Sequence, residues 1–209
     1  MQGDAEISAE NAPVDKKSKV FARDADLSPS SSPAHFRTIL EARLTARPKR
    51  SASVVHRIGI ISDTHGLLRP QVKQRLAGVA HIIHGGDIGK PDVIAELLRI
   101  APVTAIRGNI DTGQWAEEYP ETEMVRFGGR TIYVLHDVQE LRLDPVMCGV
   151  DVVVSGHSHR PRIETIGGVL YLNPGSAGPR RFNLPVTLAT LDLTACGPRP
   201  LIHDLGVGA

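Results

Sequence analysis

The chain has 209 residues, a net charge of +1 and 41% hydrophobic residues, which is typical of a globular protein with one sizeable core. This charge balance and an aromatic content of 4% argue against nucleic acid as a partner. The sequence has two distant cysteines and no signal-peptide core, so we expect a cytoplasmic protein. It has no apolar run of the ~18 residues that span a bilayer, so we expect no membrane partner.

Residues 1–53 differ in composition from the rest of the chain. They are rich in Ser, Pro, Ala and charged residues, with the run Ser-Pro-Ser-Ser-Ser-Pro at 28–33. Such a segment buries too little apolar surface to offset the entropy of ordering, so we predict a low-complexity, disordered extension with one helix at 34–47. A docking arm, a transit peptide and a basic contact patch are alternatives to a solvated extension. We place the functional domain at 54–209.

Strand and helix patterns alternate from residue 54 onward. Apolar, β-branched runs predict strands at 54–62, 80–84 and 103–106. Helices begin at Pro70 and Pro91 between them, where proline suits the first helical turn. This β-α-β-α-β order indicates parallel strands joined by right-handed crossovers.

The second half of the chain has a different pattern, rich in short strands. A Gly-Gly turn joins two strands into a hairpin, which is antiparallel by necessity. The mixture of parallel and antiparallel strands predicts an α/β fold of two packed, mixed β-sheets with helices outside. The elements predicted here are strands at 123–127, 130–135, 151–155, 162–166, 169–173, 187–193 and 201–203, and a short helix at 145–149.

Side chains that can bind a metal ion follow five of the predicted strands. The carboxyl ends of neighbouring strands form one rim, so we expect these side chains to share a small volume. Each residue alone has an ordinary explanation, such as a turn or a buried histidine, but together they predict a metal site. The candidate ligands are Asp63, His65, Asp87, Asn109, His136, His157 and His159.

Seven candidate ligands exceed one tetrahedral site and suit two divalent ions that share a carboxylate. Asp87 lies between the two halves of the set and is the expected bridge. Donors of the Asp, Asn and His type without a thiolate favour manganese, with iron, zinc, nickel or cobalt as alternatives.

Two residues near this rim could contact a phosphate group. Paired ions can activate water and bind a phosphoryl oxygen, and Arg107 and Asn109 could hold the remaining oxygens. A surface salt bridge is an equally good interpretation of Arg107.

The motifs in this order resemble the calcineurin-like metallophosphoesterases, above all their small YfcE-type phosphodiesterase branch. They are Asp-x-His (63–65), Gly-Gly-Asp (85–87), Gly-Asn-x-Asp (108–111), His136 and Gly-His-Ser-His (156–159). The resemblance covers residues 57–205 and implies a four-layer α/β/β/α sandwich. It also implies that Asp63, His65, Asp87 and His159 bind one ion. The other ion would then be held by Asp87, Asn109, His136 and His157.

The sequence departs from that family pattern at two positions. Ile110 replaces the histidine that donates a proton in many relatives, so Asp111 becomes either the general acid or a residue that organises its neighbours. Asp137 follows His136 where many relatives have glycine. The loop at 173–176, Asn-Pro-Gly-Ser, matches one common in this branch, and we expect a structural role for it.

We therefore predict a dinuclear metal-dependent phosphodiesterase whose partner is a small phosphate ester. A metal-activated hydroxide would attack phosphorus, with Arg107, Asn109 and Asp111 as the catalytic residues. The alternative is a non-catalytic scaffold that binds proteins, because a eukaryotic retromer subunit resembles this fold. The complete ligand set disfavours it. A protein phosphatase is a third possibility, although the chain lacks room for the elaborations of those enzymes. The oligomeric state stays open.

Overall fold

The computed structural model describes residues 56–181 and 183–206, so the predicted extension 1–53 and its helix at 34–47 lie outside the described residues. The α-helices are α1 (Pro70–Arg75) and α2 (Pro91–Leu98), and 3₁₀ helices span Gln114–Glu118 and Val138–Glu140. The strands are β1 (His56–Ile61), β2 (His81–His84), β3 (Val103–Ala105), β4 (Thr122–Phe127), β5 (Arg130–Leu135), β6 (Val152–Val154), β7 (Arg162–Ile166), β8 (Val169–Asn173), β9 (Thr187–Thr194) and β10 (Gly197–Asp204).

The strands form two five-stranded sheets. Sheet A has the order β10-β9-β1-β2-β3, and sheet B has the order β4-β5-β6-β8-β7. Strands β1, β2 and β3 are parallel, as are β5, β6 and β8, while β4, β7, β9 and β10 pair antiparallel to their neighbours. The predicted two mixed sheets, the parallel start and the hairpin of β4 and β5 are therefore confirmed.

The main core lies between the two sheets. Ile58, Ile60 and Ile83 of sheet A pack against Val134 and Val152 of sheet B, and all five are fully buried. Burying a side chain of this size stabilises the fold by about 1.5 to 3 kcal/mol each. The parallel strands at the centre of both sheets are thereby held face to face.

Both described α-helices cover the outer face of sheet A. Val72 and Leu76 near α1, and Val93 and Leu97 of α2, are buried in one cluster against that face. A Cβ at Gly59 in β1 would meet the Leu76 side chain at 2.5 Å, so glycine lets the chain after α1 approach the sheet closely. The two helices lead away from the carboxyl ends of β1 and β2.

The outer face of sheet B is covered by the segment that follows β5. Leu141 and Val150 pack there against Val153 and Val169. The predicted helix at 145–149 is wrong, because this stretch forms turns rather than a regular helix. Cys148 N–H donates to the Asp144 carbonyl, Gly149 N–H to that of Val146 and Val150 N–H to that of Pro145, and the left-handed Gly149 (φ 66°) ends the segment after one turn.

Several element boundaries differ from the prediction. The last hairpin is longer than expected, since β9 ends at Thr194 and β10 begins at Gly197. The helix predicted from Pro70 ends at Arg75, although Val79 beyond it is still buried. Within the described residues, no helix is both long and apolar enough to cross a membrane.

Candidate metal centre

All seven candidate ligands lie just beyond the carboxyl ends of parallel strands. Sheet A contributes the residues after β1, β2 and β3, and sheet B contributes those after β5 and β6. Their side chains form two groups that share Asp87. The first group, called group one, is Asp63, His65, Asp87 and His159. The second, called group two, is Asp87, Asn109, His136 and His157.

The ligand atoms of group one all lie within 4.8 Å of one another. His159 Nε2 lies 3.3 Å from Asp63 Oδ1 and 3.3 Å from His65 Nε2. His65 Nε2 in turn lies 3.8 Å from Asp87 Oδ2. Donor atoms about 2.1 Å from a shared ion lie roughly 3 to 4 Å apart, so group one can hold one divalent ion.

Neighbouring donor atoms in group two lie at similar distances. His136 Nε2 lies 3.3 Å from Asp87 Oδ1 and 3.2 Å from Asn109 Oδ1. Asn109 Oδ1 also lies 3.1 Å from His157 Nδ1. These distances are short enough for the donor atoms to bind one ion. Oxygen and nitrogen donors suit a hard or borderline ion.

The buried carboxylate of Asp63 tests whether the site fits a metal ion. Its side chain is fully buried, and neither oxygen has a hydrogen-bond partner among the described residues. A buried carboxylate without a partner costs several kcal/mol, unless a cation compensates its charge. The residues present therefore fit a bound metal ion.

Several candidate ligands have a left-handed backbone conformation. Five residues other than glycine have a positive φ in the described part of the chain, with values from 46° to 65°. All five are candidate ligands: Asp63, His65, Asp87, His157 and His159. The left-handed conformation is unfavourable for residues with a Cβ, and such strain collects at functional sites. Here it turns the side chains toward a common volume.

Two of the three loops that carry group one are tied together by backbone hydrogen bonds. The N–H of Asp63 donates to the Gly86 carbonyl at 3.0 Å, and the N–H of His65 donates to the Asp87 carbonyl at 3.0 Å. The ladder between β1 and β2 thus continues past the ends of the strands. Asp63, His65 and Asp87 are positioned as one unit.

His84 adds a side-chain link between the same two loops. Its Nε2 lies 2.9 Å from Thr64 Oγ1, which donates to the Ile88 carbonyl, and its Nδ1 accepts the N–H of Gly86 at 3.2 Å. This pattern requires a neutral ring with its proton on Nε2. Complete burial lowers the pKa of His84 to about 4, against the opposing charges of Asp111 and Asp63.

Asp87 and His136 influence each other strongly. Burial raises the pKa of Asp87, but the hydrogen bond and charge of His136 and the N–H of Ile110 outweigh burial and hold that pKa below its usual range. Burial lowers the pKa of His136, but Asp87 and the Gly85 carbonyl raise it overall to about 9. A metal ion at this position must therefore compete with a proton.

Asp111 lies beside the site but does not face it as a free acid. Its carboxylate accepts three backbone N–H groups, from Ile88 at 3.0 Å, Gly89 at 2.8 Å and Gly108 at 2.8 Å. The side chain is buried. Of the two roles open to Asp111 from the sequence, this geometry favours the organisation of its neighbours.

Arg107 forms the surface salt bridge that the sequence left as an alternative. Its Nη2 donates to Glu121 Oε1 at 2.8 Å, and its Nη1 donates to the Tyr119 carbonyl at 3.1 Å. The residue nevertheless lines an open cleft of about 450 Å³ that also borders Asn109 and His157.

The Asn-Pro-Gly-Ser loop (173–176) binds the backbone of the site, in line with the structural role expected for it. Asn173 Nδ2 donates to the Gly156 carbonyl at 2.6 Å and lies 3.1 Å from Ser158 Oγ. Ser176 Oγ donates to the Asp63 carbonyl at 2.9 Å. The loop therefore holds the backbone of one ligand and the Gly-His-Ser-His segment.

Sequence reasoning missed three residues that act on this region, and it noted a fourth, Asp137, without assigning it a partner. His84 was seen only as the end of a strand, and its position before Gly-Gly-Asp was the available signal. Arg142 lines the cleft, and Arg181 is close enough to contribute to the lowered pKa of His65, after burial. Asp137 was noted only as a departure from the family pattern, yet its Oδ2 lies 3.7 Å from His157 Nε2.

Comparison with known proteins agrees with this geometry. The sequence profile of the calcineurin-like phosphoesterase superfamily domain matches residues 57–195. The chain belongs to this superfamily. The prediction of a metal-dependent phosphoesterase fold and hydrolase class is thereby confirmed.

Relatives within the superfamily cover most of the described domain. A probable metallophosphoesterase from Methanothermobacter thermautotrophicus is 33% identical over 140 residues, which are 61% of this chain and 81% of the relative. A phosphodiesterase from Methanocaldococcus jannaschii is 28% identical over 155 residues, which are 65% of this chain and 92% of the relative.

Solved structures support the same fold. An archaeal phosphodiesterase superposes with a TM-score of 0.59 at 26% identity, over 70% of this chain and 99% of that one. Vacuolar protein sorting 29 from Cryptosporidium parvum superposes with a TM-score of 0.63 at 22% identity, over 74% of this chain and 94% of that one. At this identity the second likeness concerns the fold alone.

Proposed function

We propose that this chain is a dinuclear phosphodiesterase that hydrolyses small phosphodiesters. The observation that carries the proposal is the position of Asp87, whose two oxygens face the two ligand groups separately. Asp87 would thus offer one oxygen to an ion in each group, as two-metal phosphoesterase chemistry requires. We propose manganese as the native ion, with iron, zinc, nickel or cobalt as alternatives, and a cytoplasmic location.

Two divalent ions in these groups would polarise a phosphoryl oxygen and lower the pKa of water at the site. The chain's own contribution is to hold seven donors in fixed positions before substrate arrives. The tied loops around His84 and the Asn-Pro-Gly-Ser loop do this for group one. Such preorganisation is what makes electrostatic stabilisation of a transition state effective.

The cleft beside group two is where we place the ester. Asn109 turns its oxygen toward His136 and His157, so its amide N–H can donate to a phosphate oxygen. Arg107 and Arg142 line the same cleft, and each offers a planar fork of donors. A cleft of about 450 Å³ has room for a small ester.

The scaffold alternative has less support. The likeness to vacuolar protein sorting 29 concerns the fold, and a scaffold has no need of seven converging donors or a buried, unpaired Asp63. Strained backbone at five ligand positions also has no purpose in a scaffold.

The test is metal analysis combined with a substrate panel. We expect the purified chain to bind two divalent ions and to hydrolyse bis-p-nitrophenyl phosphate, fastest with Mn²⁺ among the five candidate ions. His159→Ala should reduce hydrolysis to the buffer level while its circular dichroism stays unchanged. Asp144→Asn, outside both ligand groups, serves as the matched control and should keep full activity. A wild-type chain that binds no ion, or a fully active His159→Ala, would contradict the proposal.

A further inference from the structure

Asp137 contacts a candidate ligand of group two but is not itself in either group. We propose that Asp137 is a positioning residue that fixes His157 in the tautomer whose Nδ1 can bind a metal ion. This inference rests on the proposed function, because it presumes an ion in group two.

The His157 ring presents its two nitrogens to different partners. Nδ1 lies 3.1 Å from Asn109 Oδ1, on the side of group two, and Nε2 lies 3.7 Å from Asp137 Oδ2. The His157 side chain is 46% exposed, compared with 8% for His136, so surrounding protein confines its ring far less. Asn109 faces the Nδ1 edge of this exposed ring, and the charged Asp137 faces the Nε2 edge.

Asp137 is itself held in place by the chain. Its Oδ1 accepts the N–H of Gln139 at 2.9 Å and caps the 3₁₀ helix Val138–Glu140. With one oxygen used by the cap, the other remains directed at His157. The side chain is 24% exposed, so its charge is only partly screened by solvent.

The position of the proton on the His157 ring determines which nitrogen can bind a metal ion. A ring nitrogen that binds a metal must offer its lone pair, so the proton of neutral His157 must sit on Nε2. At 3.7 Å the Asp137 carboxylate is beyond direct hydrogen-bond distance, so it favours a proton at that nitrogen through its charge. Carboxylate partners of this kind commonly change metal affinity by about 10- to 100-fold.

The substitution Asp137→Asn separates this role from helix capping. Asparagine caps helices as well as aspartate does, so its oxygen can still accept the N–H of Gln139. Its amide N–H₂ then faces His157 Nε2 and favours a lone pair there, which moves the proton to Nδ1. The variant therefore keeps the local fold and shifts the tautomer equilibrium of His157 toward Nδ1–H.

Two measurements on the full-length protein test the inference. Calorimetric titration with Mn²⁺ should give two binding steps in the wild type, and Asp137→Asn should weaken one step by about tenfold and leave the other unchanged. Asn109 Oδ1 competes for the proton at Nδ1 in the chelated protein. Long-range ¹H–¹⁵N NMR of that form, above the titration range of free histidine, should therefore show a smaller fraction of the Nε2–H tautomer of His157 in Asp137→Asn than in the wild type. Glu140→Gln removes the same charge from the short helix and should change neither result.

The outcomes separate this inference from the proposed function. If the wild type binds no Mn²⁺, the proposed function and the inference both fail. If the wild type binds two ions and Asp137→Asn binds them with equal affinity, or keeps the wild-type tautomer fraction, the inference alone is wrong. Equal weakening of both steps together with a lower melting temperature would also overturn it, because that result describes a structural role.

Discussion

Asp87 Oδ1 lies 3.3 Å from His136 Nε2, while the other oxygen of the same carboxylate faces His65 at 3.8 Å. Asp87 thus belongs to both ligand groups, whereas His65 and His136 belong to one each. Removing the shared carboxylate and removing a single histidine should therefore have different effects on metal content.

The first prediction concerns that difference. Asp87→Ala should lose tight binding of both ions, and His65→Ala should lose one. Elemental analysis after gel filtration in metal-free buffer measures the stoichiometry of each variant. Equal stoichiometry in Asp87→Ala and His65→Ala would contradict a shared carboxylate.

The second prediction concerns the stability of the metal-free protein. Asp63→Asn replaces a buried carboxylate that accepts no hydrogen bond among the described residues with a neutral amide, so the free energy of unfolding in excess chelator should rise by about 1 to 3 kcal/mol. Urea denaturation measures this change, and phosphodiesterase activity in the same variant should be lost. Asp92→Asn, at the exposed start of α2, is the control and should lower stability by about 0.3 to 1 kcal/mol through the helix dipole. A less stable Asp63→Asn protein would rule out the charge as a source of strain.

The third prediction uses the left-handed backbone at His157, where φ is 65°. Once the imidazole is removed, glycine should be more stable than alanine by about 1 kcal/mol, because glycine has no Cβ to resist this conformation. His136 has no positive φ, so the order there should reverse, with His136→Gly about 0.5 to 1 kcal/mol less stable than His136→Ala. Chemical denaturation of the four chelated variants gives both differences. The same order at both positions would refute the assignment of strain.

The fourth prediction separates the two roles of Asp111. Asp111→Asn should lower stability by about 1.5 to 3 kcal/mol, the range for hydrogen bonds to a charged group, because an amide nitrogen cannot accept a backbone N–H. The remaining activity should keep the wild-type shape of its pH profile. Disappearance of the basic limb of that profile would instead identify Asp111 as the general acid.

The fifth prediction is a pH dependence of stability caused by His84. Its pKa is about 4 in the folded chain and about 6.5 when unfolded, so between these values the unfolded state binds the extra proton. Stability from this group is complete above pH ~6.5 and falls by about 3 kcal/mol as the pH drops to ~4. His84→Gln should flatten the stability curve by that amount in chelator. An unchanged slope would place the acid sensitivity elsewhere.

Much of the site was readable from the sequence because each ligand follows a short apolar strand. The run Ile58 to Ile61 and the run Val152 to Val154 are buried on both faces, so a polar residue after either one marks the rim. The ligands could be found without knowing the sheet order. They only needed to follow parallel strands.

The sheet order itself could not be read, since it depends on pairing between distant segments. Strand β9 pairs with β1 more than a hundred residues earlier, and β8 lies between β6 and β7. The turn at 145–149 shares its apolar spacing with a helix, and its mixed hydrogen-bond spans and the left-handed Gly149 distinguish the two. Contacts such as Asp137 with His157 depend on this long-range packing as well.

The five left-handed ligands have a consequence for protein engineering. A redesign that scores only the stability of the folded chain would favour glycine at Asp63, Asp87 and His157, and each accepted change would delete a donor. The left-handed backbone at these positions favours glycine, whereas metal binding requires the side chains that are present. A thermostable variant of this protein must gain its stability elsewhere, for example in the core between the sheets.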